Sequence, residues 1–131
     1  MMMPQPGEIW LADIPFTSGV ASKLRPILVL WVDAADVVVA AVTSAAPRSP
    51  VDVFLQDWSS EGLRVPSTVR LFRLDCLEQT VLRRKLGRLS EVDARRVRQI
   101  WTSQVQPRFW TRIQSPNHLR VADQSSFQAK L

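Results

Sequence analysis

Two apolar runs, Pro26–Val32 and Val37–Val42, separated only by Asp33-Ala34-Ala35-Asp36, constrain this chain more than any other feature. Each has the length of a buried strand and is too short for a typical helix, and the second is dominated by valine. A polar four-residue link leaves no room for a crossover, so the pair is expected to form an antiparallel hairpin. Gly7–Asp13 and Val51–Gln56 alternate as half-buried strands, and Ser67–Leu74 reads as another, bent or shifted where Arg70 and Arg73 intervene. Asp57–Gly62 between them is expected to be a loop or a short helical turn. Adjacent antiparallel strands in a chain of 131 residues favour one domain built as a bent sheet or small barrel, not a βαβ layer. The fold class expected is α+β, mainly β, with five to seven strands, short helices and a C-terminal helix.

That last helix has the clearest signature. Ser90-Glu91-Val92-Asp93 resembles a capping box, with Ser90 as N-cap and two acidic residues at the positive end. Ala94, Val97, Ile100, Trp101 and Val105 then make one apolar stripe at helical spacing, expected to be core. Upstream, Leu77–Leu86 is expected to be a short amphipathic helix stopped by Gly87. The periodicity ends at Pro107. The expected division is therefore a disordered 1–6, a domain over 7–106, and a tail over 107–131 that is mobile or foreign to the domain.

Net charge narrows the partners. Seventeen basic against twelve acidic residues, a net charge of +5, suit an anionic partner, with nucleic acid ahead of acidic protein. Arg83, Arg84, Lys85, Arg88, Arg95, Arg96 and Arg98 crowd together, although such runs usually turn out to be solvated faces. One cysteine, Cys76, leaves neither an internal disulfide nor a cysteine zinc site, and one histidine, His118, leaves no histidine cluster. No metal and no other cofactor is expected. The N-terminus lacks the pattern of a signal peptide, and no apolar run approaches ~18 residues, so a cytoplasmic protein with no membrane contact is expected.

The residues with chemical promise stand at strand ends. Pro26 fixes its own backbone and pushes Arg25 into an extended conformation, placing a guanidinium at a stiff loop-to-strand junction. The second run ends in Thr43-Ser44, two hydroxyls at a strand end. A held guanidinium beside a held hydroxyl suits a phosphodiester, because the arginine fork matches phosphate oxygens bidentately.

The order of these segments resembles the MazF/PemK family of toxin endoribonucleases. The resemblance rests on Gly7-Glu8-Ile9-Trp10, Arg25-Pro26, Thr43-Ser44 and Leu86-Gly87-Arg88-Leu89-Ser90 in register, and spans about residues 6–105. It implies an SH3-like, strongly bent antiparallel sheet and a homodimer that cuts single-stranded RNA without metal through the ribose 2′-hydroxyl. It also implies a cognate acidic antitoxin, with which such toxins bind DNA. Carried over residue by residue, the Arg before Pro is Arg25 and the strand-end Thr is Thr43, both in catalytic roles. Ser44, Ser18, Lys23, Trp58, Arg70 and Arg73 are the candidate RNA contacts, and the Thr17–Lys23 loop is a candidate lid. Trp10 and Trp31 are expected in the core, leaving Trp58 as the base-stacking aromatic. The chain departs from the family at Leu24, where many members carry His, and at Phe72-Arg73, where an Asp-Gln pair is common. Proton removal then falls to Asp13, Asp75 or a bound water. The competing reading is a non-catalytic protein of the same fold, either a poison of DNA gyrase or a degenerate nuclease.

Overall fold

The hairpin predicted from the two apolar runs stands at the centre of the sheet. The computed structural model describes residues 3–15 and 21–109. The elements are β1 (Glu8–Pro15), β2 (Ser22–Asp33), β3 (Asp36–Thr43), β4 (Asp52–Phe54), β5 (Thr68–Glu78), a single 3-10 turn at Gln79–Val81, β6 (Leu82–Arg88) and α1 (Glu91–Gln104). They form one antiparallel sheet in the order β4-β5-β3-β2-β1-β6. The mainly β class and the C-terminal helix are as expected. Asp33 pairs with Asp36 across the tight turn, and Ala34 takes the left-handed conformation there with φ 55°.

The middle of β2 and most of β3 are apolar because both sheet faces are covered there. Along β2, Leu28 joins Ile9, Ala40, Val69 and Leu71 in one cluster, to which α1 contributes Val97, with Ile100 and Trp101 packed alongside. Ile27 and Val29 alternate onto the other face with Trp10, Ala12, Val37 and Val39. The predicted stripe on α1 is thus core, and the Ser90 hydroxyl caps the helix by accepting from the Asp93 amide at 3.1 Å.

Several expectations need correction. Leu77–Leu86 is not a helix: it is the end of β5, the 3-10 turn and most of β6. Leu77, Leu82 and Leu86 imitate a helical stripe, but β1 has an open edge, and pairing with it from Glu8↔Arg88 to Ala12↔Leu82 overrides the local pattern. Gly87 therefore stops no helix. A Cβ on Gly87 would overlap the Glu61 carbonyl, and one on Gly62 (φ +94°) would overlap the Leu86 carbonyl. The 57–62 loop thus lies backbone to backbone against β6 in a tight seam. The strand expected over Val51–Gln56 shrinks to Asp52–Phe54. Trp10 is buried as expected, but Trp31 is 46% exposed and packs edge-on against Trp101, ring centroids 6.0 Å apart. Pro4 is buried and the Gln5 amide donates to the Glu8 carboxylate. Among the described residues no helix is long and apolar enough to cross a membrane.

Candidate active site

Arg25 lies inside β2, not at its mouth, which corrects the loop-to-strand placement. It pairs with Ala12 of β1, while the pairing of β2 with β3 begins only at Ile27↔Ala41. Pro26, which has no N–H, stands where that second pairing gives out, so one flank of Arg25 is open. Extending the register by two residues sets Arg25 level with Thr43, the last residue of β3. Both line a cleft of about 920 Å³ together with Ser44, Lys23, Arg70 and Arg73. The Thr43 hydroxyl oxygen accepts from the Ala45 amide at 3.1 Å, which fixes the side chain and leaves its proton available to a ligand.

β5 reaches the cleft through the shift expected near Arg70 and Arg73. Ala41 faces Arg70 and the next residue of β3, Ala40, faces Leu74, so Leu71–Arg73 bulge out of register. Two further cations line the cleft, Arg64 from the loop after the seam and Arg84 from β6. Sequence gave no signal for Arg64. Arg84 was hidden in the arginine run, and the period of two along β6 separates it from its neighbours. Arg83 pairs with Asp13 at 3.2 Å and Lys85 with Glu8 at 3.0 Å, both on β1, while Arg84 and Leu86 line the cleft. The rest of the run supplies no lining residue. Arg96 bonds Asp93 and the Phe54 carbonyl.

The lining thus carries six cationic side chains and one carboxylate, Asp75. No ion pair among the described residues engages Arg25, Lys23 or Arg73. The charge of such a surface suits a polyanion.

The remaining candidates lie elsewhere in the fold or outside the described residues. Trp58 packs against the α1-side core and does not line the cleft, so it is no stacking platform there. Ser18 and most of the Thr17–Lys23 loop lie outside the described residues, as do His118 and the tail beyond Phe109. Leu24, at the position of the family His, is half exposed on the cleft lining, and Phe72, in the place of the Asp, is exposed on the bulge and absent from the lining. Asp13 is not in the cleft. The Ser22 hydroxyl and Arg83 hold its carboxyl below the usual range, the mark of a committed partner and not of a base.

Away from the cleft, Asp57, Glu61 and Asp93 bring carboxylate oxygens within 4.8 Å of one another. The donors around them argue against a cation. The Ser90 amide donates to Glu61 Oε2 at 2.8 Å, and the Gln56 and Asp57 amides donate to Asp93 at 3.0 Å each. Arg96 and the positive end of α1 add to that field. Burial, then Asp93, pushes the Glu61 carboxyl up to about 7. Burial acts in the same direction on Asp93, but the Asp57 amide, Glu61, the Gln56 amide and Arg96 together hold it low. Glu61 therefore favours its protonated form beside an ionised Asp93, and the pair ties the seam loop to the helix.

Comparison with known proteins agrees with this geometry. An endoribonuclease from a mycobacterial species, solved with its cognate antitoxin, matches with a TM-score of 0.65 and 20% identity over 80% of this chain and 98% of that one. MazE-MazF (Form-II) from Deinococcus radiodurans matches at 0.58 and 25% identity, over 79% and 95%. The Mycobacterium tuberculosis toxin MazF-mt6 matches at 0.59 and 22%, over 72% and 93%. No curated protein sequence matches closely enough to count as a relative. The family of PemK-like, MazF-like toxins of type II toxin–antitoxin systems matches residues 5–118. With most of its length inside that match and its sheet built the same way, this chain belongs to the PemK-like, MazF-like toxins of type II toxin–antitoxin systems.

Proposed function

We propose that the chain is the toxin of such a pair and cuts single-stranded RNA through attack of a ribose 2′-hydroxyl on the adjacent phosphodiester, without a metal ion. The observation that carries this reading is Arg25 and Thr43 on neighbouring strands at one level of a basic cleft, with the guanidinium in no ion pair among the described residues. As the phosphorus becomes pentacoordinate, charge grows on its equatorial oxygens. A guanidinium already in place stabilises that charge, an effect on the order of several kcal/mol. The Thr43 hydroxyl donates to a non-bridging oxygen. Arg70 holds the same phosphate from β5, and Lys23, Arg64, Arg73 and Arg84 hold the flanking backbone, with Ser44 at the rim.

Proton removal is the step this chain supports least. Asp75 faces Val39, four residues along β3 from Thr43, a separation of about 14 Å at ~3.4 Å per residue. A carboxylate that far along the strand does not reach the 2′-hydroxyl of the nucleotide held by Arg25. With Asp13 committed to Arg83, a water takes the proton, the P–O5′ bond breaks and the departing 5′-oxygen takes a proton from solvent, and turnover is correspondingly slow.

The partners follow from the same charge. A basic cleft shaped for RNA also accepts an acidic chain, and two of the similar structures were solved with an antitoxin. A cognate acidic antitoxin folding across this cleft, and a homodimer as the active unit in the cytoplasm, complete the reading. The test is purified protein with mixed-sequence RNA in EDTA, followed by mapping of the ends. The expected products carry 5′-hydroxyls and 2′,3′-cyclic phosphates or their opened 3′-phosphates. Cleavage abolished by EDTA, or 5′-phosphate ends, refutes the mechanism. Toxicity that survives Arg25→Ala points to the non-catalytic alternative.

A further inference from the structure

Asp52 is an unexpected residue to find beneath a cleft that holds anions. It sits on β4 directly opposite Arg70 of β5, and its side chain is 1% exposed. One carboxylate oxygen, Oδ2, accepts from the Arg48 amide at 2.8 Å and is thereby fixed to the preceding turn. The other, Oδ1, lies 3.5 Å from Arg70 Nε, and neither of these two buried atoms has a hydrogen bond. A buried carboxylate costs several kcal/mol unless paired, so this contact is a strong constraint on where the guanidinium lies. The pairing is through Nε alone. The terminal Nη groups, which form the fork that grips phosphate, are engaged in no ion pair or hydrogen bond among the described residues, and Arg70 lines the cleft.

We propose that Asp52 is the positioning residue for Arg70: it anchors Nε from below and holds the Nη fork toward the phosphate that Arg25 and Thr43 bind. This rests on the reading of Arg70 as a phosphate-holding residue. The strand geometry supports it. Arg70 opposes Ala41, two residues in from Thr43 on β3, while Arg25 stands level with Thr43 on the far side of that strand. The two guanidiniums therefore approach one phosphate from opposite sides of β3. With Nε anchored, little side-chain freedom is left to lose in the transition state.

The sign of one substitution separates positioning from bulk charge. Asp52→Asn removes a negative charge beside a cationic cleft, so plain electrostatics predicts RNA binding as tight as before or tighter. A lost anchor predicts slower cleavage all the same. The expected result is kcat lowered about tenfold with KM within about threefold of wild type, and a folded variant by thermal melting. Arg70→Gln is expected to lose more, and Asp52→Asn added to Arg70→Gln is expected to change kcat less than about twofold, because the anchor no longer has a load. Unchanged kcat in Asp52→Asn, or a loss that multiplies in the double variant, overturns the proposal. The double variant keeps an amide-to-amide contact, so it also serves if Asp52→Asn alone unfolds. If the wild type cleaves no RNA, the nuclease reading fails, and Asp52 is judged instead by the Arg70 Nε–H resonance with an uncleavable 2′-deoxy oligonucleotide bound. A restrained signal that turns mobile in Asp52→Asn supports the anchor; equal mobility in both overturns it.

Discussion

Glu61→Gln isolates the buried carboxyl pair. Glu61 is 1% exposed; its Oε2 accepts the Ser90 amide, and its Oε1 has no hydrogen-bond partner, which disfavours the bare carboxylate. The ordinary value is 4.5, and in the fold it rises to about 7, first because of burial and then because of Asp93. The native chain therefore holds a proton that the unfolded chain has already lost between these two values, and stability falls with rising pH across that window. At about 1.4 kcal/mol per pH unit, the contribution is on the order of 3 kcal/mol, present in full below pH 4.5 and gone above about pH 7. An amide has nearly the same shape, keeps the acceptor for Ser90, offers an N–H toward Asp93 and does not titrate. The variant should match wild type within about 1 kcal/mol near pH 4.5 and exceed it by about 3 kcal/mol at pH 8, roughly 10 °C in Tm. The assay is urea or thermal unfolding of both proteins from pH 4.5 to pH 8.5, with the difference between them plotted against pH. A difference that stays flat, or a Gln variant weaker than wild type at pH 8, would show that Glu61 does not favour its protonated form there.

Arg25→Ala is expected to cut the cleavage rate by about 10²–10³-fold and Thr43→Ala by about tenfold, with both melting within about 1 kcal/mol of wild type, because a charged contact to the developing phosphorane outweighs a neutral one. Equal rates for wild type and Arg25→Ala would remove the proposed chemistry. Since no cleft carboxylate reaches the 2′-hydroxyl, log kcat should climb steadily from pH 6 to pH 9, and Asp75→Asn should change it less than about twofold; a plateau with an apparent pKa between 5 and 8 would reveal a base. Ala34→Gly is expected to stabilise the fold by about 1 kcal/mol in urea unfolding, because alanine strains at the positive φ of the hairpin turn. A loss of stability there would contradict the turn geometry.

The parts of the fold that sequence disclosed are those in which one local pattern had a single outcome. The hairpin between the two valine-rich runs, and the Ser90-capped helix with its stripe from Ala94 to Val105, met no competing requirement. β6 was missed because its hydrophobic spacing suits a short helix, whereas its structure answers to the open edge of β1, some seventy residues earlier. Trp58 illustrates the converse. Its polar neighbours suggested a surface loop, but the seam folds that loop onto the core. At the site, Arg25, Thr43, Ser44, Lys23, Arg70 and Arg73 were legible as residues, and the structure brings them into one cleft. Arg64 and Asp52 were not, since neither belongs to a motif; each matters only through what the curled sheet sets beside it.

The seam between Gly62 and Gly87 also bears on when a growing chain becomes dangerous. The cleft wall that carries Arg64 follows directly on Gly62, and that loop is held by β6 and by Asp93 at the head of α1. None of these supports exists until the ribosome has made about two thirds of these 131 residues. Arg25 and Thr43 emerge early, at about 5–20 residues per second, yet stand beside a cleft with one side missing for the seconds that follow. A chain broken off before Arg88 carries both proposed catalytic side chains and lacks the wall that would hold RNA against them. If the proposed chemistry holds, a chain terminated within β6 is expected to cut no RNA.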